Sequence, residues 1–306
     1  MKALIVGGFG YLGCRIGSYF SQKDFDITLL SRSSISYKKE FLNFEYSSLD
    51  FSWDQPHKNN FFKDYDVIVH SAGMNALDSK NNPNAAYNFK TSSNKIILDS
   101  IKDSHNVKYF YISSAHVYDE KCVGDFNEDS STNNKHPYAK AIIAGEDVIN
   151  ESSNENKNYI LRCANGFGAP IIDQEDCWNL YVNNICKQAF EDKIIYINHP
   201  FESRNFIPIT QTCKIIEFII HNNFQSQTFN VGSQKNMKLY EMASLVQEVC
   251  EEKLGFKPII ESDESIDIDA IYNFNISKIS DYGFSYKEKF KSEIDNIFEY
   301  LARSNS

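Results

Sequence analysis

With 306 residues and 42% hydrophobic content, the chain can bury a full core as one large domain or two closely joined ones. Its 41 acidic and 31 basic side chains leave a net charge of −10, which argues against nucleic acid as a partner because no basic stripe is present to release counterions. No apolar run reaches the roughly 18 residues of a membrane span and the N-terminal apolar stretch is too brief for a signal peptide, while seven cysteines without CxxC or Cys/His spacing fit reduced thiols in a cytoplasmic protein, with neither a disulfide frame nor a metal site.

The first predicted element is a strand, Ala3 to Val6, that breaks directly into Gly7-Gly8-Phe9-Gly10-Tyr11-Leu12-Gly13. Apolar residues at 12, 16, 19 and 20 then mark one face of a helix from Tyr11 to Phe20. A turn without β-carbons lets backbone amides approach a pyrophosphate, and the start of the following helix adds the positive end of its dipole. Strand, turn and helix in this order read as a dinucleotide site, with Gly7, Gly10, Tyr11, Leu12 and Gly13 as candidate contacts. A second strand, Ile27 to Leu30, follows at βαβ spacing and ends in Ser31-Arg32-Ser33. No carboxylate stands there to hold ribose hydroxyls. Ser31 and Arg32 suit a 2′-phosphate instead, which favours NADP(H) over NAD(H). The competing reading of Arg32 is a solvated loop residue.

A short third strand is predicted at Phe44-Glu45-Tyr46, followed by Asp50, which reads either as an adenine-edge contact or as a turn aspartate. Asp66 to His70 forms a buried fourth strand closing on Ser71-Ala72-Gly73, small residues that let a nicotinamide or ribose pass close by. A helix over Asn84 to Lys102 leads to a fifth strand, Lys108 to Ile112, which delivers Ser113 to Tyr118 at its carboxyl end, where ligands of open α/β sheets bind. A polar loop, Asp119 to Asn134, precedes a helix that starts at His136-Pro137-Tyr138 and runs to Glu151, and Tyr159 to Cys163 is a sixth strand. Beyond Gly166 the pattern turns aromatic and irregular, with helices over Cys177 to Phe190, Leu239 to Glu252 and Tyr286 to Leu301, and a strand at Thr228 to Val231. The fold class expected is α/β: a Rossmann-type doubly wound parallel sheet over 1–165, and a smaller interleaved C-terminal substrate domain over 166–306, some of whose segments return to the Rossmann domain.

The chain resembles the extended short-chain dehydrogenase/reductases that act on nucleotide-sugars, the epimerases, dehydratases and 4-keto reductases. The resemblance is carried by the glycine turn at 7–13, Asp66 to Gly73, Asn88-Phe89-Lys90-Thr91-Ser92, Ser113 to Tyr118, Pro137-Tyr138, Leu161 to Pro170, Arg204-Asn205-Phe206-Ile207 and Phe229-Asn230-Val231-Gly232. It implies that Ser114 hydrogen-bonds the reacting oxygen, that Tyr138 is the acid/base and meets the cofactor, and that Asn165 and Arg204 hold a nucleotide diphosphate. Only five arginines exist in the chain, and a guanidinium fork suits a diphosphate. The implied function is an NADP(H)-dependent oxidoreductase acting on a nucleotide-sugar or related small molecule, as a 4-keto reductase or an epimerase. His70 and His116 border the expected site and are given no role.

Several positions depart from the family pattern. The tyrosine is normally followed four residues later by a lysine, but position 142 is Ile. On a helix residues 138 and 142 lie about 40° apart and 140 is turned about 200° from 138, so Lys140 cannot stand in; a lysine from elsewhere, such as Lys90 or Lys135, is the alternative. The stretch from Ile266 to Ile271 lacks the late arginine of the diphosphate clamp, Thr210-Gln211 stands where an acidic pair is usual, and Ala115-His116 is not the acidic pair of a dehydratase. Two other readings stay open: a catalytically silent dinucleotide-binding sensor or scaffold, and a reductase of a non-nucleotide ketone or aldehyde.

In this family the helices over 84–102 and 138–151 pair two subunits, and Ile96, Ile97 and Ile101 offer apolar contacts. A homodimer is the expected mass by light scattering at micromolar concentration, and a monomer would refute it.

Overall fold

The computed structural model describes residues 1–32, 42–53, 61–104, 106–118, 123–152, 157–172, 175–222, 224–263, 272–287 and 289–304. Two compact units emerge: Met1–Glu120, Ser131–Arg162 and Cys213–Phe229 form the first, and Lys121–Ser130, Cys163–Thr212 and Asn230–Ser306 the second.

The first unit is built on strands β1 (Lys2–Val6), β2 (Asp26–Ser31), β3 (Ser47–Asp50) and β4 (Val67–His70), with helices α1 (Tyr11–Ser21), α2 (Ala76–Asn81) and α3 (Pro83–Ile101) between them. After β5 (Lys108–Ser114), the short strand β6 (Gly124–Phe126) belongs to the second unit, and the first resumes with α4 (Pro137–Asn150) and β7 (Lys157–Cys163). Strands β1, β2, β3, β4 and β5 pair in parallel. The whole sheet has seven strands in the order β11-β7-β5-β4-β1-β2-β3, where β11 is Gln227–Val231. This is the Rossmann order, with its reversal between β1 and β4. Residues 3–6 and 67–70 are buried without alternation, as parallel strands covered on both faces require.

The second unit comprises β8 (Asn165–Phe167), α5 (Tyr181–Glu191), β9 (Ile194–Asn198), β10 (Ser203–Pro208), the first turn of α6 (Ile209–His221), β12 (Asn236–Lys238), α7 (Leu239–Leu254), β13 (Ile259–Asp263), β14 (Tyr272–Phe274), α8 (Ser277–Asp281) and α9 (Phe290–Ser304). Its strands form three small sheets, β12-β10-β8, β13-β9 and β14-β6. Val182, Ile185, Met242, Val246, Ile297 and Phe298 from α5, α7 and α9 fill its core.

Three local expectations change. The third strand starts at Ser47, because the Tyr46 ring packs edge-on against Phe9 and at a tilt against Phe44, and pairing with β2 begins only beyond them. The loop over 119–134 contains β6, whose partner Tyr272–Phe274 lies far away in sequence. The helix expected from Cys177 begins at Tyr181 after a 3₁₀ turn over Glu175–Asn179, since Leu180 takes an extended conformation. On α3, Ile97 and Ile101 are wholly buried within the chain itself, so they are not free for a partner subunit. The stretch from Ile266 to Ile271 lies outside the described residues.

A buried ion pair ties the first unit together. The Arg162 Nη2 of β7 meets Glu146 Oε2 of α4 at 2.7 Å, Nε donates to both carboxylate oxygens, and Nη1 donates to the Tyr118 hydroxyl at 3.1 Å. Ser113 of β5 donates to the same carboxylate. Removing one partner strands the other charge in the interior, so Glu146→Gln is expected to cost about 3–5 kcal/mol. Urea unfolding of the two proteins at one pH measures this, and a loss below about 1 kcal/mol, the level of an exposed pair, would show the pair to be screened by water.

Candidate active site

A cavity of about 570 Å³ opens at the carboxyl ends of β1, β2 and β4, where the strand order reverses. Its wall brings together Gly7 and Gly10 after β1, Ser31 and Arg32 after β2, and Ser71, Ala72 and Gly73 after β4. Gly7 holds φ +81°, a left-handed conformation that disfavours any other residue, and its amide donates to the Leu30 carbonyl at 3.1 Å. The Gly10 amide donates back to Gly7 O at 2.9 Å, and a β-carbon on Gly13 would collide with that carbonyl. Arg32 is exposed and pairs with no carboxylate among the described residues. Asp50, at the exposed end of β3, does not line the cavity, and Tyr11, Leu12 and Gly13 stand behind it at the start of α1.

The cavity also takes in residues that sequence reading passed over: Phe9, Trp53, Met74, Ala85 and Phe89. The Trp53 ring stacks on His70 with centroids 6.3 Å apart and meets Phe89 edge-on at 5.7 Å. Position 53 is three residues beyond Asp50, so an aromatic so close to the proposed adenine edge was the available signal.

Behind the wall lies a buried polar cluster. Tyr109 OH donates to Asn94 Oδ1 at 2.5 Å, which uses its one proton, so His70 donates to it from Nδ1 at 2.9 Å. Burial, followed by the charge of Lys90, holds the His70 imidazole far below its ordinary range and neutral. The same burial pushes the phenols of Tyr109 and Tyr111 well up. Lys90, only 4% exposed, donates from Nζ to Ala72 O at 2.8 Å and lies over the Tyr111 ring, 4.8 Å from its centroid. Its ammonium is pushed down to about 7 by desolvation. Among the described residues no cluster of His, Cys, Asp and Glu could hold a metal ion.

Ser114 ends β5 and caps the 3₁₀ turn over Ala115–Val117: its Oγ accepts the His116 amide at 3.2 Å. The His116 ring in turn meets Tyr138 edge-on at 6.3 Å. Tyr138 stands in the first turn of α4, where His136 Nδ1 accepts its amide and Pro137 fixes the helix start. Ser114, His116 and Tyr138 therefore share one neighbourhood of the first unit. Position 142 is a buried isoleucine.

In the second unit, β8 and β10 set Asn165 beside Phe206 in register. Asn165 Nδ2 donates to Asn205 O at 2.9 Å, while the wholly buried Asn205 side chain is satisfied by Ser233 and Asn236. Arg204 donates to Glu202 and, at 3.1 Å, to Ser203 O, so this arginine is already engaged in a surface ion pair. Thr210 donates to Glu293 of α9 at 2.8 Å, a carboxylate contributed from far along the chain.

Comparison with known proteins agrees with this architecture. The model of the NAD dependent epimerase/dehydratase family matches residues 3–232. A putative UDP-glucose 4-epimerase of Methanocaldococcus jannaschii is 23% identical over 99% of both chains, and a dTDP-glucose 4,6-dehydratase of Streptomyces niveus is 19% identical over 98% of this chain and 92% of that one. Among solved structures, the Thermotoga maritima UDP-glucose 4-epimerase with UDP-glucose superposes with TM-score 0.82 at 16% identity, covering all of both chains. The Bacillus cereus UDP-glucuronic acid 4-epimerase, in complex with UDP-glucuronic acid and NAD, superposes with TM-score 0.79 at 17% identity, covering 99% of this chain and 100% of that one. At these identities the structural likeness speaks for the fold alone. The family match, spanning the glycine turn, the switch-point cavity and the Ser114 and Tyr138 neighbourhood, is what places this chain in the NAD-dependent epimerase/dehydratase family of nucleotide-sugar enzymes.

Proposed function

We propose that this chain is an oxidoreductase acting on a nucleotide-sugar, as a 4-keto reductase or an epimerase, with NADP(H) as its cofactor. The observation that carries the reading is the single cavity in which the glycine turn, Ser31 with Arg32, and Ser71 to Gly73 meet. The cavity fits a dinucleotide on three counts: Gly7 and Gly10 leave backbone where side chains would block a pyrophosphate, α1 starts directly beneath, and Arg32 at the end of β2 pairs with no carboxylate among the described residues. The solved relatives named above include one carrying NAD, so the choice of NADP(H) rests on Ser31 and Arg32 alone.

When bound, the nicotinamide supplies or accepts hydride at a sugar carbon. The chain's own groups handle the proton. Tyr138 gives a proton to a reduced carbonyl oxygen, or takes one from an alcohol, at its phenolic oxygen. Ser114 accepts the His116 amide with its lone pair, which leaves its hydroxyl hydrogen for the reacting oxygen. Arg32 beside Ser31 tilts the reading toward reduction. Ala115-His116 in place of an acidic pair speaks against 4,6-dehydration. Asn165 and Arg204 are the proposed holders of the diphosphate, and Arg204 would do so while sharing its charge with Glu202. That ion pair is also the observation favouring a second reading, reduction of a ketone or aldehyde that bears no nucleotide.

Two measurements test this. Losing a charge-assisted contact to phosphate costs about 1.5–3 kcal/mol, so Arg32→Ala is expected to weaken NADPH by about tenfold or more and leave NADH nearly unchanged in fluorescence titrations. Equal affinity of the parent protein for both cofactors would overturn the NADP(H) choice. Positioned proton transfer contributes about 10²–10⁴-fold, so Tyr138→Phe is expected to lower the rate of ketone reduction by that factor on nucleotide-sugars that raise the melting temperature of the NADP-loaded protein. Undiminished reduction in Tyr138→Phe would remove the tyrosine from the mechanism.

A further inference from the structure

Lys90 is a buried cation whose surroundings hold no anion. Among the described residues its Nζ meets the Ala72 carbonyl at 2.8 Å and the face of Tyr111, and no carboxylate pairs with it. The groups that face it are all neutral: His70 from β4, Tyr109 and Tyr111 from β5, and the Asn94 amide from the next turn of its own helix. Burying a lysine without a counter-charge is costly, and such sites are candidates for function rather than for stability. The fold also makes room for it, because a β-carbon on Gly73 would lie 2.8 Å from Lys90 Cε and 3.0 Å from Nζ.

The position of this ammonium matters more than its cost. Ala72 and Gly73 are wall residues of the cavity, so Nζ lies directly behind that wall. Tyr111, on whose ring it rests, donates its hydroxyl to Ile142 O at 3.2 Å, the backbone of the residue that should have been the lysine. One ring therefore separates Lys90 from α4, the helix whose first turn carries the proposed acid/base. Helices α3 and α4 thus converge on the same spot, one with an isoleucine and the other with an ammonium.

We propose that Lys90, reaching in from α3, is the positioning cation of this site: it anchors the Ser71-Ala72-Gly73 wall through Ala72 and stabilises negative charge on the Tyr138 oxygen, the task for which position 142 offers only an isoleucine. The inference rests on the oxidoreductase reading, but the two can fail separately. It also explains why Ile142 need not mark a silent protein, since the charge reaches the site from another helix.

The test uses Lys90→Met, which removes the charge at nearly constant volume, and Lys90→Met/Ile142→Lys, which returns an ammonium from α4. Each is compared with the same protein carrying Tyr138→Phe, so that phenolate absorbance isolates Tyr138. Lys90→Met is expected to ionise Tyr138 at higher pH and, because the Ser71-Ala72-Gly73 wall loses its anchor on Ala72 O, to bind NADPH about tenfold more weakly, and the double variant is expected to recover the Tyr138 ionisation. In ¹³C-labelled wild-type protein, the lysine signal that titrates near neutrality is expected to move to higher pH when NADPH is added, a readout that does not depend on any variant folding. Tyr138 ionising at the wild-type pH in Lys90→Met, no rescue by Ile142→Lys, or a lysine titration unmoved in protein that has bound NADPH would each overturn the proposal. Wild-type protein that binds no dinucleotide, while Lys90→Met still shifts Tyr138, would sink the cofactor reading and keep the charge assignment.

Discussion

Everything in the first unit depends on the close approach at the end of β1. A β-carbon on Gly7 would lie 2.8 Å from the Ala72 backbone, and one on Gly13 would collide with the Gly7 carbonyl that accepts the Gly10 amide. With no side chains between them, the ends of β1, β2 and β4 meet as bare backbone, and α1 starts immediately beneath. The backbone that this part of the cavity wall presents is already fixed by the sheet, and the aromatic rings of Phe9, Trp53 and Phe89 line the rest. A bulkier turn would push α1 away from β1 and fill the space the cavity occupies.

Beneath that wall the interior is unusually polar. The buried face of α3 carries Lys90, Ser93 and Asn94 before it turns apolar at Ile97, Leu98 and Ile101. His70, Tyr109 and Asn94 form a chain of hydrogen bonds while Ser93 donates to Phe89 O, and burial keeps the imidazole and the phenols neutral, so these groups specify position without adding charge. Lys90 breaks the pattern as the one group there with a charge to give. Desolvation brings its titration down to about 7, so its charge responds to small changes around neutrality.

The arginines show how one residue type divides among tasks by environment. Arg162 is buried against Glu146 and Tyr118 and braces α4 on the sheet. Arg204 is half-exposed and holds Glu202, while Arg303 at the end of α9 pairs with Glu299. Arg32 stands at the cavity and meets no carboxylate among the described residues. A guanidinium is always charged, so its role is fixed by which acceptors the fold brings near it and by how far water is excluded.

The sequence by itself determined the parallel sheet and the location of the cavity, because both are local. The glycines at 7, 10 and 13, the apolar runs at 3–6 and 67–70, and the small residues at 71–73 each constrain backbone within a few positions, and periodicity reads such constraints directly. The family resemblance also exposed the absence of a lysine at 142, and helix geometry then ruled out Lys140 as its stand-in. Only the tertiary structure decided what non-local contacts control. Trp53 enters the cavity because Phe62 and Phe89 hold its ring, β6 exists because Tyr272–Phe274 pairs with it, and Glu293 reaches Thr210 from the last helix. Lys90 belongs to the same class: in sequence it is only one of two candidate stand-ins for the missing lysine, beside Lys135, and it becomes a buried cation behind Ala72 only when α3 packs along α4 over β4 and β5. Burial and charge separation arise from contacts between segments far apart in the chain, and no local pattern encodes them.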